Sequence, residues 1–135
     1  YDLYILHQIL IFMNKKIYNK LIRLAVIQQN RIKDKPKHFS FLIKRNKIIC
    51  YGWNKRFKTH PKAALFQCRF AAIHSELDVI NNFGRLKDLK KCTLVNIRLK
   101  KGQLAISKPC QRCQQMLIFF GINDIIYSVS GGFYG

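Results

Sequence analysis

Two short stretches, His74-Ser75-Glu76 and Pro109-Cys110-Gln111-Arg112-Cys113, decide how the whole chain is interpreted. They combine an H-x-E with a P-C-x-x-C, and His74 and Cys110 are 36 positions apart. One histidine and two cysteines are ligands that Zn²⁺ favours, and three protein ligands with an open fourth position are typical of a catalytic zinc site. The carboxylate of Glu76 is then free to carry protons.

The C-x-x-C stretch is predicted to begin a helix. Cys110 and Cys113 are at positions i and i+3, so on a helix they lie on one face and can converge on one ion. In a first turn, the free N–H groups and the helix dipole favour thiolate over thiol. Pro109 suits the entry into such a helix. His74, on a second predicted helix, would supply the third ligand.

Two other interpretations use fewer of these residues. A structural zinc site would need a fourth ligand, for which His60 and Cys68 are candidates, and it leaves Glu76 without a role. A redox C-x-x-C explains neither His74 nor Glu76. Glu76 is the only glutamate in the chain. These points favour a catalytic site in which Glu76 handles the protons.

The chain carries a large positive charge, with 25 lysines and arginines against 6 acidic residues and a formal net charge of +19. A single domain of this size repels itself at that charge, and a polyanionic partner would relieve the repulsion. The alternative is a compositional bias towards lysine and isoleucine without functional meaning. We favour the polyanion.

The hydrophobic pattern predicts alternating helices and strands. In chain order, the predicted elements are helix 15–31, strands 39–43 and 47–53, helix 70–83, strand 92–99, helix 110–120 and strand 123–128. Gly84 follows the second helix at the position that a C-terminal cap prefers. This order predicts an α/β fold with one mixed central sheet covered by helices on both faces, a three-layer α/β/α domain.

Residues 15–135 form the predicted zinc domain, and residues 1–14 form an N-terminal extension outside its core. The longest apolar run of the extension is interrupted by polar residues and is too short to span a membrane. It also lacks the basic segment of a signal peptide. Five cysteines, two of them in the C-x-x-C, argue against a disulfide framework and for a reducing compartment. We therefore expect a soluble, cytoplasmic protein without a membrane partner.

The pairing of H-x-E with P-C-x-x-C resembles the signature of the zinc-dependent cytidine and deoxycytidylate deaminase superfamily. Gly52-Trp53-Asn54 resembles the G-[YW]-N motif of deoxycytidylate and tRNA adenosine deaminases. Lys58-Thr59-His60-Pro61 resembles a K-T-H-P of phage-type deoxycytidylate-deaminase-like proteins. The resemblance implies a cytidine-deaminase-like fold with Zn²⁺ as the cofactor.

The resemblance also implies roles for single residues. The zinc ligands of the family match His74, Cys110 and Cys113, and the proton-carrying residue matches Glu76. In the family, the asparagine at Asn54 contacts the ribose, and the backbone at Ser75 contacts the base carbonyl. Asn54 could instead be a turn residue at a strand end. The other candidate substrate contacts, for base stacking or phosphate binding, are Trp53, Arg56, Lys58, His60 and Ser107.

Two classes of substrate remain open for an enzyme that converts cytosine to uracil. The first is cytosine within single-stranded DNA or RNA, whose backbone the basic residues could follow. The second is a free nucleotide such as dCMP, for which two or three cations would be enough. Further alternatives are adenosine in tRNA or DNA, and a non-catalytic nucleic-acid-binding domain. The charge favours single-stranded nucleic acid, and the K-T-H-P stretch favours cytosine.

The family usually continues through another strand or helix, whereas this chain ends at Gly135. The resemblance therefore leaves part of the pocket wall either missing or supplied by a neighbouring subunit. In the second case the protein would be an oligomer.

Overall fold

The computed structural model describes residues 15–56 and 72–135. The α-helices in these ranges are α1 (Lys15–Arg31), α2 (Ser75–Phe83) and α3 (Gln111–Phe119), and a 3-10 helix covers Leu86–Lys91. The strands are β1 (His38–Lys44), β2 (Lys47–Trp53), β3 (Lys55–Arg56), β4 (Ala72–Ile73), β5 (Thr93–Lys100), β6 (Gln103–Ala105), β7 (Asp124–Val129) and β8 (Gly132–Tyr134). No helix in the described ranges combines the length and the apolar character that a membrane span needs.

Six strands form one mixed sheet in the order β2-β1-β5-β7-β8, with β6 paired to the end of β5. All paired neighbours in this sheet are antiparallel except β5 and β7. The parallel pair requires a crossover connection, which α3 provides. The mixed central sheet predicted from the sequence is confirmed. β3 and β4 form a separate two-stranded ladder.

Apolar clusters cover both faces of the sheet. The cluster on one face includes Tyr18, Leu21 and Ala25 of α1. The cluster on the other face includes Leu77 and Ile80 of α2 and Met116 and Leu117 of α3. Strand β1 contributes to both, because successive side chains of a strand point to opposite faces. The three-layer α/β/α arrangement is therefore confirmed.

Two predicted elements differ in the structure. The helix expected over residues 70–83 begins at Ser75, and Ala72–Ile73 form strand β4 ahead of it. The chain also continues past the turn at Ser130 into β8, which pairs with β7. Strand β8 has only 3 residues, too few for an alternating pattern to be visible in the sequence. The extension 1–14 and residues 57–71 lie outside the described ranges.

Helix α2 packs directly on strand β2 at Gly52. A Cβ atom at this position would lie 2.5 Å from the backbone nitrogen of Val79. On the same face, the thiol of Cys50 donates to the Val79 carbonyl at 3.8 Å. The missing side chain at Gly52 therefore sets the height of α2 above the sheet, and with it the position of the first turn of the helix.

Candidate active site

The three predicted zinc ligands come together where α2 and α3 begin. His74 is the N-cap of α2, Cys110 is the N-cap of α3, and Cys113 follows in the first turn of α3. Nδ1 of His74 lies 3.2 Å from Sγ of Cys113 and 3.8 Å from Sγ of Cys110. The three ligand atoms all lie within 4.8 Å of one another. Each helix thus contributes its N-terminal end to one cluster.

This triangle of atoms fits a tetrahedral zinc ion. Bonds of about 2.3 Å to sulfur and about 2.0 Å to nitrogen at the tetrahedral angle require a sulfur–nitrogen separation of about 3.5 Å. The observed separations of 3.2 and 3.8 Å lie on either side of that value. Two thiolates and one imidazole leave a fourth position for water or substrate.

The charge state of Cys110 also favours a metal. Hydrogen bonding with Cys113 and His74 lowers the pKa of Cys110 to about 3, so its sulfur is a thiolate at neutral pH. One of these bonds comes from the backbone N–H of Cys113, which donates to Sγ of Cys110 at 3.4 Å. The bond to Cys110 also raises the pKa of His74. Cys113 is buried while Cys110 is exposed, so the cluster reaches the surface on one side.

Glu76 lies in the first turn of α2, and only 6% of its surface is exposed. Its two carboxylate oxygens have different donors. The Ser75 hydroxyl donates to Oε1 at 3.1 Å, and the Asn96 amide donates to Oε2 at 3.2 Å. A buried carboxylate is costly unless its oxygens accept hydrogen bonds. These two donors therefore fix its orientation close to His74.

Ser40 and Asn96 extend this network into the sheet, where they are paired residues of β1 and β5. The Ser40 hydroxyl lies 2.5 Å from Oδ1 of Asn96 and 2.7 Å from Oγ of Ser75. The Asn96 amide also donates to the Ser107 carbonyl at 3.2 Å. Asn96 thus connects Glu76 to the loop that leads into α3.

The sequence interpretation missed Ser40 and Asn96, although a signal was present. Each is a single polar residue within an apolar strand, in Phe39-Ser40-Phe41-Leu42 and in Val95-Asn96-Ile97. A polar side chain buried in a strand needs a partner. Both residues therefore pointed to a polar group on the covering helix.

Ser75 and Asn54, two of the predicted substrate contacts, have protein partners near the cluster. Ser75 follows His74 and contacts Glu76. Asn54 follows the end of β2, and its Oδ1 accepts from the backbone N–H of His38 at 3.1 Å. Their contacts with a substrate stay predictions.

Trp53 and Ser107, also predicted to contact substrate, are occupied in packing. Trp53 packs against the α1 cluster and stacks on Tyr51, with ring centroids 6.0 Å apart. The Ser107 hydroxyl is buried and donates to the Asn96 carbonyl at 2.9 Å. It also accepts from the backbone N–H of Ser128 at 2.8 Å. A substrate role for Trp53 and Ser107 stays a prediction.

The remaining candidates come from the basic segment after β2. Arg56 belongs to strand β3, but its side chain lies outside the description, as do Lys58, His60 and the alternative ligand Cys68. Lys55 is paired instead with Asp78, with 2.6 Å between Nζ and Oδ1. This ion pair ties the segment after β2 to α2.

The sequence matches the family described as the cytidine and deoxycytidylate deaminase zinc-binding region over residues 15–129. In fold, the chain is similar to the dCMP deaminase from the cyanophage S-TIM5 in apo form. The TM-score is 0.54, with 16% sequence identity, and the likeness covers 83% of this chain and 82% of that one. No curated protein matches the chain significantly. The family match spans most of the chain and includes the His/Cys/Cys cluster, so the chain belongs to the cytidine and deoxycytidylate deaminases and is a zinc-dependent enzyme of that family.

Proposed function

We propose that the protein converts cytosine to uracil within single-stranded DNA or RNA, with Glu76 as the catalytic residue. The zinc ligands in this proposal are His74, Cys110 and Cys113. The observation that carries the proposal is the buried Glu76 carboxylate, held by two donors beside a cluster of one imidazole and two sulfurs.

The proposed chemistry is a hydrolysis at C4 of the base. Zn²⁺ held by His74, Cys110 and Cys113 would supply a Lewis acid that makes the attacking water more acidic. Glu76 takes a proton from the attacking water and delivers it to ring N3 as the bond from oxygen to C4 forms. The second proton of that water goes through Glu76 to the amino nitrogen, the C4–N bond breaks, and ammonia leaves. Ser75 and Asn96 keep the carboxylate oriented for both transfers.

The surplus of positive charge supports a polynucleotide substrate. Lys108 and Arg112 flank Cys110, and both are exposed. They can therefore contact phosphates on either side of a target nucleotide. A single nucleotide would need only two or three cations, whereas the chain has a formal net charge of +19.

A free nucleotide such as dCMP is the second candidate substrate. It is favoured by the similarity in fold to the dCMP deaminase from cyanophage S-TIM5. In either case we assign the deaminase domain to residues 15–135 and treat residues 1–14 as an extension. We place the enzyme in the cytoplasm, because thiolate ligands suit a reducing compartment.

Glu76→Ala tests the catalytic assignment. The variant should keep its zinc but lose turnover by about 10³-fold, because the proton carrier acts mainly in the transition state. Gln111→Ala, at an exposed position beside Cys110, is the control and should retain activity. Activity of Glu76→Ala within tenfold of the parent would mean that another group carries the protons.

Two measurements separate the candidate substrates. In the first, the enzyme is incubated with dCMP, cytidine and a mixed-sequence single-stranded oligonucleotide, and deamination is detected by mass. In the second, oligonucleotide affinity of Glu76→Ala is measured at several salt concentrations. Each neutralised phosphate should contribute about 0.7 log units per tenfold rise in salt, so four or five contacts give a slope of about −3.

Charge reversal locates those contacts. Lys108→Glu combined with Arg112→Glu should flatten the salt slope by about 1.4, the contribution of two contacts. Lys16→Glu combined with Lys20→Glu, at exposed positions of α1, makes the same charge change on the opposite face of the sheet and should leave the slope unchanged. Efficient turnover of dCMP without oligonucleotide binding at low salt would refute the nucleic-acid proposal and support the free nucleotide.

A further inference from the structure

His38 and Arg98 are the next paired residues beyond Ser40 and Asn96 in the β1–β5 ladder. Residues two positions apart on a strand share a face, so His38 and Arg98 lie on the face that α2 covers. A strand advances about 3.3 Å per residue, which puts them about 6–7 Å beyond the network around Glu76.

The direction of α2 places His38 and Arg98 beyond the N-terminal end of the helix. The first turn of α2 contacts Ser40 and Asn96 through Ser75 and Glu76. Further along, Ile80 belongs to the same cluster as Leu42 of β1 and Leu94 of β5. The helix therefore runs from positions 40 and 96 towards 42 and 94. Positions 38 and 98 lie on the other side, beyond its N-terminal end, where His74 is located.

Arg98 lacks a counter-charge among the described residues. Its side chain is half-buried, and its Nε is fully buried without a hydrogen-bond partner in the described ranges. The two buried carboxylates of α2 are engaged elsewhere: Asp78 pairs with Lys55, and Glu76 accepts from its own two donors. A buried guanidinium N–H without an acceptor is destabilising. An anion bound there would remove that penalty.

His38 adds a second, neutral donor at the same place. Burial, followed by the positive charge of Arg98, lowers the pKa of His38 to about 4. Its ring is therefore neutral at pH 7 and can donate one hydrogen bond without repelling the guanidinium. Asn54 fixes the backbone of His38 from both sides, because its side chain accepts from the His38 N–H and its own N–H donates to the His38 carbonyl at 3.3 Å.

We propose that Arg98 and His38 form a phosphate-binding subsite next to the catalytic cluster. This rests on the proposed function, since the phosphate is that of the nucleotide whose cytosine reaches Glu76. The guanidinium suits this ligand because its planar fork can donate two parallel hydrogen bonds to phosphate oxygens. The same chemistry accepts the 5′-monoester of a free nucleotide or the diester of a strand.

The test compares ligands with and without phosphate. Binding of deoxycytidine, dCMP and a thymidylyl-deoxycytidine dinucleotide is measured by calorimetry with the Glu76→Ala protein, in which turnover cannot interfere. Arg98→Met is then introduced into this protein as a second substitution, which removes the charge and keeps much of the side-chain length. Arg31→Met makes the same substitution at an exposed position of α1 and is the matched control.

In Glu76→Ala, at least one phosphate-containing ligand should bind about tenfold to a hundredfold more tightly than deoxycytidine. Arg98→Met should abolish this advantage, Arg98→Lys should keep part of it, and Arg31→Met should keep all of it. An advantage for dCMP assigns the monoester, and one for the dinucleotide assigns the diester. The proposal is overturned if the advantage survives Arg98→Met. It is also overturned if deoxycytidine, dCMP and the dinucleotide all bind Glu76→Ala with equal affinity.

Thermal unfolding separates this subsite from the proposed function. At equal ionic strength, replacing chloride with inorganic phosphate should raise Tm more for the parent and Arg31→Met than for Arg98→Met. That result without binding of any cytosine compound would support the subsite and contradict the proposed function. Without phosphate, Arg98→Met should have an unchanged or higher Tm, because it removes an unpaired charge. The subsite is refuted if phosphate raises Tm equally in all three proteins. It is also refuted if, without phosphate, the Tm of Arg98→Met is several degrees below that of the parent.

Discussion

Asn96→Asp should place a second carboxylate against Glu76 without changing the shape of the core. In the parent, the Asn96 amide donates at 3.2 Å both to Oε2 of Glu76 and to the Ser107 carbonyl. The new carboxyl group can still accept from the Ser40 hydroxyl. It presents an oxygen, however, where the amide had its two donors. The variant thus converts an attractive contact into a repulsive one at the same distance.

The magnitude follows from the smaller of two costs. Repulsion between unit charges 3.2 Å apart is about 5 kcal/mol at an effective dielectric constant of about 20. The variant can avoid it by binding a proton, and at pH 7 protonating an aspartate with the ordinary pKa of about 3.9 costs about 4 kcal/mol. Proton uptake is therefore preferred, and the free energy of unfolding should fall by about 4 kcal/mol.

The loss should depend on pH in a defined direction. The folded variant holds a proton that the unfolded chain has released, so its stability decreases as the pH rises. At about 1.4 kcal/mol per pH unit, the deficit should be about 3 kcal/mol at pH 6. It should reach the repulsion limit of about 5 kcal/mol at pH 8.

Urea unfolding of the zinc-loaded proteins at pH 6, 7 and 8 measures these deficits. Asn96→Ala removes the amide without adding charge, so its deficit should not change with pH. The double variant Glu76→Gln/Asn96→Asp exchanges donor and acceptor across the same contact and should recover most of the stability while remaining inactive. The reasoning is refuted if Asn96→Asp has a pH-independent deficit, or if the double variant is no more stable than Asn96→Asp alone.

Cys110→Ala should lose zinc and unfold at a lower temperature, because an ion held by His74, Cys110 and Cys113 would join α2 to α3 and its binding free energy would add to stability. Elemental analysis and a thermal scan measure both effects, and one Zn²⁺ per chain in this variant would contradict the ligand assignment. Gly52→Ala should cost about 2 kcal/mol or more, because its Cβ would lie 2.5 Å from the Val79 nitrogen. In urea unfolding, Gly132→Ala is the control, because nothing lies within 4 Å of its Cβ. Equal stability of the two variants would mean that the helix moves freely away from the sheet.

The metal cluster could be predicted from the sequence because local rules position its members. Cys110 and Cys113 are held together by the spacing of one helical turn, and the fold brings His74 to them at the start of the neighbouring helix. Helix α1 could also be predicted from the sequence, because the spacing of its apolar residues lies within one segment. Its bounds of Lys15–Arg31 match the prediction. The family resemblance supplied the remaining link between the two motifs.

The support around Glu76 could not be predicted in the same way. Ser40 and Asn96 are 56 positions apart, and only the register of two paired strands makes them neighbours. Lys55 belongs by sequence to a basic segment, yet Asp78, 23 positions further on, takes its charge. Trp53 has the residue type of a stacking platform, but the alternation of β2 directs it to the α1 cluster. These outcomes depend on pairings between distant segments, which a pattern within one segment does not contain.

The bonds of Ser107 bear on how the enzyme acquires its metal. Its hydroxyl connects the loop before Cys110 to β5 and β7, and its N–H donates to the Ser128 carbonyl at 2.9 Å. All of these partners belong to the protein, so the entropy of ordering the loop is lost when the chain folds and not when zinc arrives. Capture of the ion then needs little rearrangement of the chain. We therefore expect the zinc-free enzyme to bind zinc again without passing through an unfolded state.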